Sequence, residues 1–346
     1  MNFLRKILFP FSILYGIITT IRNFLFDCGI LKSYSFPIPV IAVGNLSVGG
    51  TGKTPQIEYL IRLLSDKFQI ATLSRGYKRK SEGFILANET SNAEILGDEP
   101  FQFYKKFPNI QVAVDANRKN GIEQLLSLSD KPDIILLDDA FQHRKVKAGF
   151  YILLTAYKDL FTNDFMLPTG NLRESRSGAK RANMIIVTKC PRDISELEQT
   201  QIKKFLLRRN DKQTDVFFTF INYDDKIYSI DKTLNVNDIK TIDKLLLAGI
   251  AKPESFFSYL QSENDDCLAY PDHHHFSEKD SIDIQEKAKN KIIITTEKDF
   301  VRLSEKLKKD NLFYLPIKSS FVSKGDDFDN KIINYVGTST TNSQFY

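Results

Sequence analysis

Residues 40–55 read V-I-A-V-G-N-L-S-V-G-G-T-G-K-T-P, and few folds can accommodate such a run. Residues 39–43 are apolar and β-branched, the composition of a short strand buried on both faces of a parallel sheet. Gly52-Lys53-Thr54 then closes a phosphate-loop pattern. In that pattern successive backbone N–H groups surround phosphate oxygens at a helix N-terminus, the lysine reaches the β- and γ-phosphates, and the hydroxyl meets Mg²⁺. Gly49, Gly50 and Gly52 suit a chain that must bend tightly and approach a phosphate without a Cβ in the way. The strict G-x-x-x-x-G-K-[ST] spacing fails at Ser47, although Gly44 lies just upstream. Residues 53–64 carry Ile57, Leu60, Ile61 and Leu64 at helical spacing, so strand, loop and helix follow in the order a nucleotide-binding loop requires.

About eighty residues downstream, 133–139 read D-I-I-L-L-D-D, four apolar residues running into carboxylates. An apolar run ending in Asp is common in α/β proteins. Behind a phosphate loop it reads as a Walker B strand, whose Asp138 and Asp139 can hold Mg²⁺ directly or through water. Further strands are expected at 69–73, 110–114, 149–155 and 183–189, alternating with helices, which implies a mostly parallel, doubly wound sheet. After the strand at 69–73, S-R-G-Y-K-R-K is either an anion site at the carboxyl end of a parallel strand or a solvated basic loop. In G-D-E-P, Asp98 is placed to cap the helical segment that follows. The polar stretch 167–176 reads as a long loop.

Residues 2–31 begin with Arg5 and Lys6 before an apolar run. The run 7–21 is short of the roughly 20 residues that cross a bilayer, Pro10 interrupts it, and no small-residue cleavage site follows. It reads as one or two helices at a membrane interface, with Arg5, Lys6, Arg22 and Lys32 toward headgroups, or as a core helix packed on the sheet. The chain has 346 residues, enough for two cores, and a formal charge of +5, which gives no reason to expect a nucleic-acid partner. Cys28, Cys190 and Cys267 are widely spaced and form no C-x-x-C, so no disulfide partner is expected.

From about residue 193 the texture changes. Residues 215–235 alternate like a β-hairpin across Asp224-Asp225 and suggest a hinge into a second unit. The expected divisions are a membrane-interface helical segment 1–35, a P-loop kinase domain 36–212, a hinge hairpin 213–235, a smaller α/β domain 236–336 and a frayed tail 337–346. The fold class is therefore α/β: a P-loop NTPase-type, mostly parallel sheet with an N-terminal interfacial helix and a second, smaller α/β domain.

Phosphate loop and Walker B together deliver ATP and Mg²⁺. A GTPase is disfavoured, because no D-x-x-G follows the Walker B strand and T-K-C-P at 188–191 lacks the Asp that reads guanine. A peripheral membrane ATPase of the MinD/ParA type stays as the alternative, although its signature lysine is replaced by Val48. Asp98 and the run Asp272-His273-His274-His275 come from different units. A hydroxyl substrate between them could meet a carboxylate–imidazole pair acting as base, while the His run alone could equally be a metal site or a surface loop.

In order, V-G-N-L-S-V-G-G-T-G-K-T-P, S-R-G-Y, G-D-E-P, L-D-D-A-F-Q-H-R, L-R-E, P-D-H-H and T-E-K-D closely resemble the tetraacyldisaccharide 4'-kinases, from the N-terminal apolar segment to Asp299. The resemblance implies ATP-dependent phosphorylation of the 4'-hydroxyl of a tetraacyldisaccharide 1-phosphate, a lipid A precursor, at the cytoplasmic face of a bacterial inner membrane with an anionic surface. By matching motifs, Ser47, Val48, Gly49, Gly50, Thr51, Gly52, Lys53 and Thr54 would bind ATP, with Lys53 on the β- and γ-phosphates and Thr54 on the Mg²⁺. Asp98 would be the catalytic carboxylate, supported by His273. Glu99, Asp138, Asp139 and Glu174 would serve Mg²⁺ or the active-site network, with Glu174 also beside the substrate. Charge, rather than motif, assigns Arg75, Lys78, Arg118, Arg173 and Arg176 to the 1-phosphate. Two departures stand out: Ala140 where the family often has glycine, and His275 extending D-H-H.

Overall fold

In a computed structural model, which describes residues 5, 7–208, 214–272, 274–304, 306–307 and 309–343, the apolar run before the phosphate loop becomes β1, Val40–Asn45. All six of its residues are buried, as a strand flanked on both faces requires. The other strands of this sheet are β2 Ile70–Ser74, β3 Ile85–Leu86, β4 Gln111–Val114, β5 Ile134–Asp138, β6 Phe150–Ala156, β7 Met184–Thr188 and β8 Asp215–Tyr223. A second sheet contains β9 Lys226–Tyr228, β10 Thr233–Asn235, β11 Lys244–Ala248, β12 Asp266–Ala269, β13 Ile292–Thr296 and β14 Leu312–Leu315. β15, Ile317–Phe321, returns to the first sheet.

The large sheet runs β15-β8-β7-β6-β1-β5-β2-β4-β3, parallel throughout except for its antiparallel edge strands β3 and β15. β1 pairs with β5 on one side and β6 on the other, and Val43 lies opposite Asp138. Phosphate loop and Walker B carboxylates therefore emerge side by side from the carboxyl ends of adjacent strands, where open α/β sheets bind ligands. Ile57, Leu60, Ile61 and Leu64 of the helix Lys53–Leu64 fill one core layer, which Phe328, Ile332 and Val336 of the helix Gly325–Ser343 complete.

The chain leaves this sheet after β8 and returns through β15, and those two strands pair with each other, Ile317 opposite Tyr223. Three expectations are corrected here. β8 does not fold back on β9 across Asp224-Asp225: it pairs with β7 and β15, while β9 joins β10 and β14 in the second sheet. Val216, Phe217 and Phe218 of β8 are buried against the large sheet, which holds the strand there. The segment from Ile317 onward likewise belongs with the large sheet rather than the smaller one. The last helix runs past residue 337 to Ser343, so the tail is helical over that stretch. The 212/213 boundary lies outside the described residues.

The N-terminal segment forms the helix Phe9–Asp27, with Pro10 in its first turn, where a missing N–H breaks no helical hydrogen bond. Pro10 thus starts this helix instead of interrupting it. At 19 residues the helix is by length and composition apolar enough to cross a bilayer. The core-helix alternative does not hold, because Phe11, Ile13, Leu14, Ile17, Ile18, Ile21 and Phe24 are exposed. Its inward face is mostly polar, with Phe26 as the buried apolar residue. Ser12 Oγ donates to Thr169 Oγ1 at 2.6 Å, Tyr15 Oη to the Arg173 carbonyl at 2.9 Å, and Asn23 Nδ2 to Glu174 Oε2 at 2.8 Å. Arg22 turns to the Gln142 carbonyl at 3.3 Å rather than outward to headgroups, and Lys6 lies outside the described residues.

Candidate active site

Gly49 and Gly52 take φ of +112° and +80°, conformations that side chains resist, so the loop after β1 needs glycine at both positions. Thr188 Oγ1, at the end of β7, donates to the Thr51 carbonyl at 2.8 Å, and Val48 N–H donates to the Asn171 carbonyl at 2.7 Å. These bonds brace the loop on either side. Lys53 and Thr54 open the helix, where the first-turn N–H groups have no helical acceptor and face any phosphate in the loop.

Lys53 Nζ lies 3.7 Å from Asp139 Oδ1. Both Nη atoms of Arg173 grip the same carboxylate, at 2.7 and 3.0 Å, and Nη2 also bonds Asn45 through its side-chain oxygen and its carbonyl. Burial pushes the pKa of Asp139 upward, but the Arg173 hydrogen bonds together with Lys53 outweigh it and hold the value at about 2. Asp138 is driven the other way, to about 6, by burial and then by the charge of Asp139, against the pull of Lys53. Asp139 itself takes the left-handed conformation of the turn, φ +47°, so Ala140 needs no glycine freedom and packs in the core.

Asp138 Oδ1 is buried and without a hydrogen-bond partner. A buried carboxylate oxygen in that condition, on the strand that pairs with β1 and within the field of Lys53, suits a divalent cation that takes one or two carboxylates and completes its shell with water and phosphate. Among the described residues no three His, Cys, Asp or Glu side chains converge into an all-protein metal cage.

The structure distributes the other candidates differently. Asp98 is the first residue of the helix Asp98–Lys106 and not its cap; Gly97, at φ +90°, precedes it. Its Oδ2 receives Arg302 Nε at 3.0 Å and Arg302 Nη2. Glu99 Oε1 pairs with Lys298 at 3.1 Å, and Lys298 also approaches Asp272 Oδ1 at 3.8 Å. Glu174 is almost fully buried. Its oxygens accept from Asn23, Gln142 and Arg181, so it pins the N-terminal helix to the loop floor instead of joining the Mg²⁺ candidates.

Arg118 is buried on the carbonyls of Asp115 and Asp138, half-buried Arg176 donates to that of Asp164, and Arg173 holds Asp139, so all three brace the loops around the site. Arg75 and Lys78 are exposed on the S-R-G-Y loop. Beneath the N-terminal helix a basic cavity of about 370 Å³ is lined by Arg22, Asn117, His143, Arg144 and Lys145. His273 lies outside the described residues. Its neighbour His274 bonds Asp280 through Nε2 at 3.1 Å and stacks on Tyr270, so it is committed to the start of the helix Glu278–Ala288.

Sequence reasoning missed Arg302, Asn45 and Gln142. Asn45 ends β1 inside the motif V-G-N and Gln142 sits in F-Q-H, so position in a motif could have flagged both. Arg302 carried no such mark beyond lying one helical turn after Asp299.

A phosphate loop at β1, paired carboxylates at β5 and a second unit reaching over the same rim define a phosphoryl-transfer enzyme of the P-loop kinase class. The family described as tetraacyldisaccharide-1-P 4'-kinase matches residues 4–336, and the chain belongs to it. A tetraacyldisaccharide 4'-kinase of Flavobacterium psychrophilum is 83% identical over 342 residues, 99% of this chain and 100% of that protein. Another from Flavobacterium johnsoniae is 67% identical over 97% of this chain and 98% of that one. A crystal structure of LpxK from Aquifex aeolicus in complex with ATP aligns with a TM-score of 0.77 at 31% identity, covering 96% of this chain and 99% of that one. The family assignment decides for the kinase and against the membrane-cycling ATPase that the loop alone left open.

Proposed function

We propose that this enzyme transfers the γ-phosphoryl group of ATP to the 4'-hydroxyl of a tetraacyldisaccharide 1-phosphate, a step of lipid A synthesis, at the cytoplasmic face of the inner membrane. One observation carries the reading. The apolar-faced N-terminal helix is sewn by Tyr15 and Asn23 to Arg173 and Glu174, and Arg173 in turn grips Asp139 beside Lys53. A surface suited to acyl chains and a surface suited to nucleotide phosphates are thus joined within two consecutive residues.

In this reading the loop from Ser47 to Thr54 cradles the ATP phosphates, and Lys53 neutralises charge as it moves to the β,γ-bridge. Mg²⁺, held by Thr54 with Asp138 or Asp139, would supply further charge neutralisation at the phosphate oxygens. Asp98 accepts the proton of the attacking hydroxyl, with His273 of the D-H-H motif assisting as that motif implies, and Glu99 helps orient the rim. The lipid 1-phosphate meets Arg75, Lys78 and the basic cavity lined by Arg22, Arg144 and Lys145. The outward face of Phe11, Leu14, Ile18 and Ile21 rests in the bilayer interface.

The test is a transfer assay with γ-labelled ATP, Mg²⁺ and a panel of lipid acceptors in detergent micelles. Label should enter the tetraacyldisaccharide 1-phosphate and not an acceptor whose 4'-hydroxyl is blocked. Absence of transfer across several detergents, with ATP still bound, would overturn it.

A further inference from the structure

A carboxylate that takes a proton from an attacking hydroxyl works only if one of its oxygens is held in a fixed direction, because misplacement by about 1 Å costs on the order of a hundredfold in rate. Asp98 opens its helix behind a positive-φ glycine, and its orientation is set from the second unit. Arg302 delivers two nitrogens, Nε at 3.0 Å and Nη2, to the same atom, Oδ2. Gripping one oxygen from two points fixes where that oxygen sits and with it the rotation of the carboxylate.

Arg302 is itself immobilised. Its Nη1 donates to Asp299 Oδ1 at 3.2 Å, and Asp299 is fully buried. Asp299 Oδ2 accepts from Gly249 N–H at 2.8 Å, beyond the end of β11, and from Thr296 Oγ1 at 2.7 Å, at the end of β13. A Cβ at position 249 would stand 2.9 Å from Asp299 Oδ1, so glycine there leaves room for the carboxylate. The guanidinium is thus tied to the framework of the second sheet, while the carboxylate it holds belongs to the phosphate-loop unit.

Neighbouring contacts follow the same division. Lys298 pairs with Glu99 at 3.1 Å, and Glu297 with Lys106 at 2.7 Å, with Lys106 also reaching Glu58 of the phosphate-loop helix at 2.8 Å. All four residues of T-E-K-D therefore serve this junction. Thr296 caps the helix Glu297–Leu303, Glu297 and Lys298 seat it on the helix Asp98–Lys106, and Asp299 aims Arg302.

We propose that Arg302 is a positioning residue for phosphoryl transfer, through which the second unit sets the direction of the Asp98 carboxylate. The inference rests on the reading of Asp98 as the carboxylate that serves the acceptor hydroxyl. Its test is a double-mutant cycle on the full chain, with kcat, the ATP KM, nucleotide affinity and melting temperature measured for each variant.

Arg302→Gln should lower kcat by about tenfold to a hundredfold and leave the ATP KM within about twofold. Arg302→Lys, which keeps the charge but not the two-point grip, should recover part of the loss. In an Asp98→Ala background, Arg302→Gln should cost nothing further. An unchanged or raised kcat in Arg302→Gln, or an equal loss with and without Asp98, overturns the proposal; the latter would mark Arg302 as structural only. If Asp98→Ala alone keeps full kcat, the reading of Asp98 has failed, and that outcome is distinct from a slow Asp98→Ala beside a fast Arg302→Gln. Should Arg302→Gln not fold, Arg302→Lys carries the same cycle.

Discussion

Arg173 closes on Asp139 with both terminal nitrogens, at 2.7 and 3.0 Å, while its backbone carbonyl accepts the Tyr15 hydroxyl of the N-terminal helix. One residue therefore fixes a Walker B carboxylate with its side chain and the N-terminal helix with its main chain. Replacing Arg173 by lysine keeps the charge and loses the planar fork. We expect Arg173→Lys and Arg173→Ala both to lower kcat/KM for ATP by about tenfold or more, with lysine restoring little. Steady-state kinetics at saturating lipid check this, and full activity in Arg173→Lys would show that charge alone suffices.

The outward face of the N-terminal helix makes a separable prediction. Phe11 and Ile18 are 61% and 56% exposed, so charged replacements there break no packing. Phe11→Glu with Ile18→Glu should leave the unfolding free energy within the scatter of surface substitutions, about ±0.5 kcal/mol for each. The same pair should abolish sedimentation with vesicles of anionic phospholipid. Retained vesicle binding would place the membrane contact elsewhere.

His143 gives the protein an acid-sensitive element. Burial, reinforced by Arg118, Lys145, Arg22 and Arg75, holds its pKa at about 4, below the ordinary 6.5. In the unfolded chain the imidazole takes up a proton near pH 6.5, whereas the folded protein resists it, so this stability is present above pH 6.5 and is lost as pH falls toward 4. Melting temperatures at about pH 7.5 and about pH 5 should therefore diverge more in the parent than in His143→Gln. Equal shifts in both proteins would remove His143 from the account.

Gly44 sits where β1 passes the turn after β5. A Cβ there would stand 2.7 Å from Phe141 Cβ and 2.9 Å from the Phe141 backbone nitrogen. Because a backbone atom cannot step aside as a side-chain tip can, Gly44→Ala should destabilise by about 1–3 kcal/mol. Denaturant unfolding with the slope held constant measures this, and an unchanged midpoint would mean that the strand shifts at no cost.

Much of the site was readable along the chain because its parts are local. Glycine freedom at 49 and 52, the lysine opening a helix, and an apolar strand ending in Asp138 and Asp139 each depend on neighbours a few residues away. The apolar character of the N-terminal helix was also visible along the chain, although the polar contacts of Ser12, Tyr15 and Asn23 were not. Which face points inward was not, because a helix whose polar side is buried reverses the usual rule and is recognised only by what it packs on. Charge alone also did not reveal that the guanidiniums of Arg118, Arg173 and Arg176 end on internal carbonyls and on Asp139.

The sequence by itself determined the phosphate loop of residues 47–54, the strand that feeds it, the Walker B carboxylates and, through the order of its motifs, the family. Only the tertiary structure decided that β15 and the final helix return to the first sheet, that Glu174 is a pin, and that Arg302 reaches Asp98 across a separation of 204 residues. The physical reason is range. Backbone conformation and side-chain periodicity are set within a few residues, whereas an ion pair between two units depends on how both sheets fold and dock.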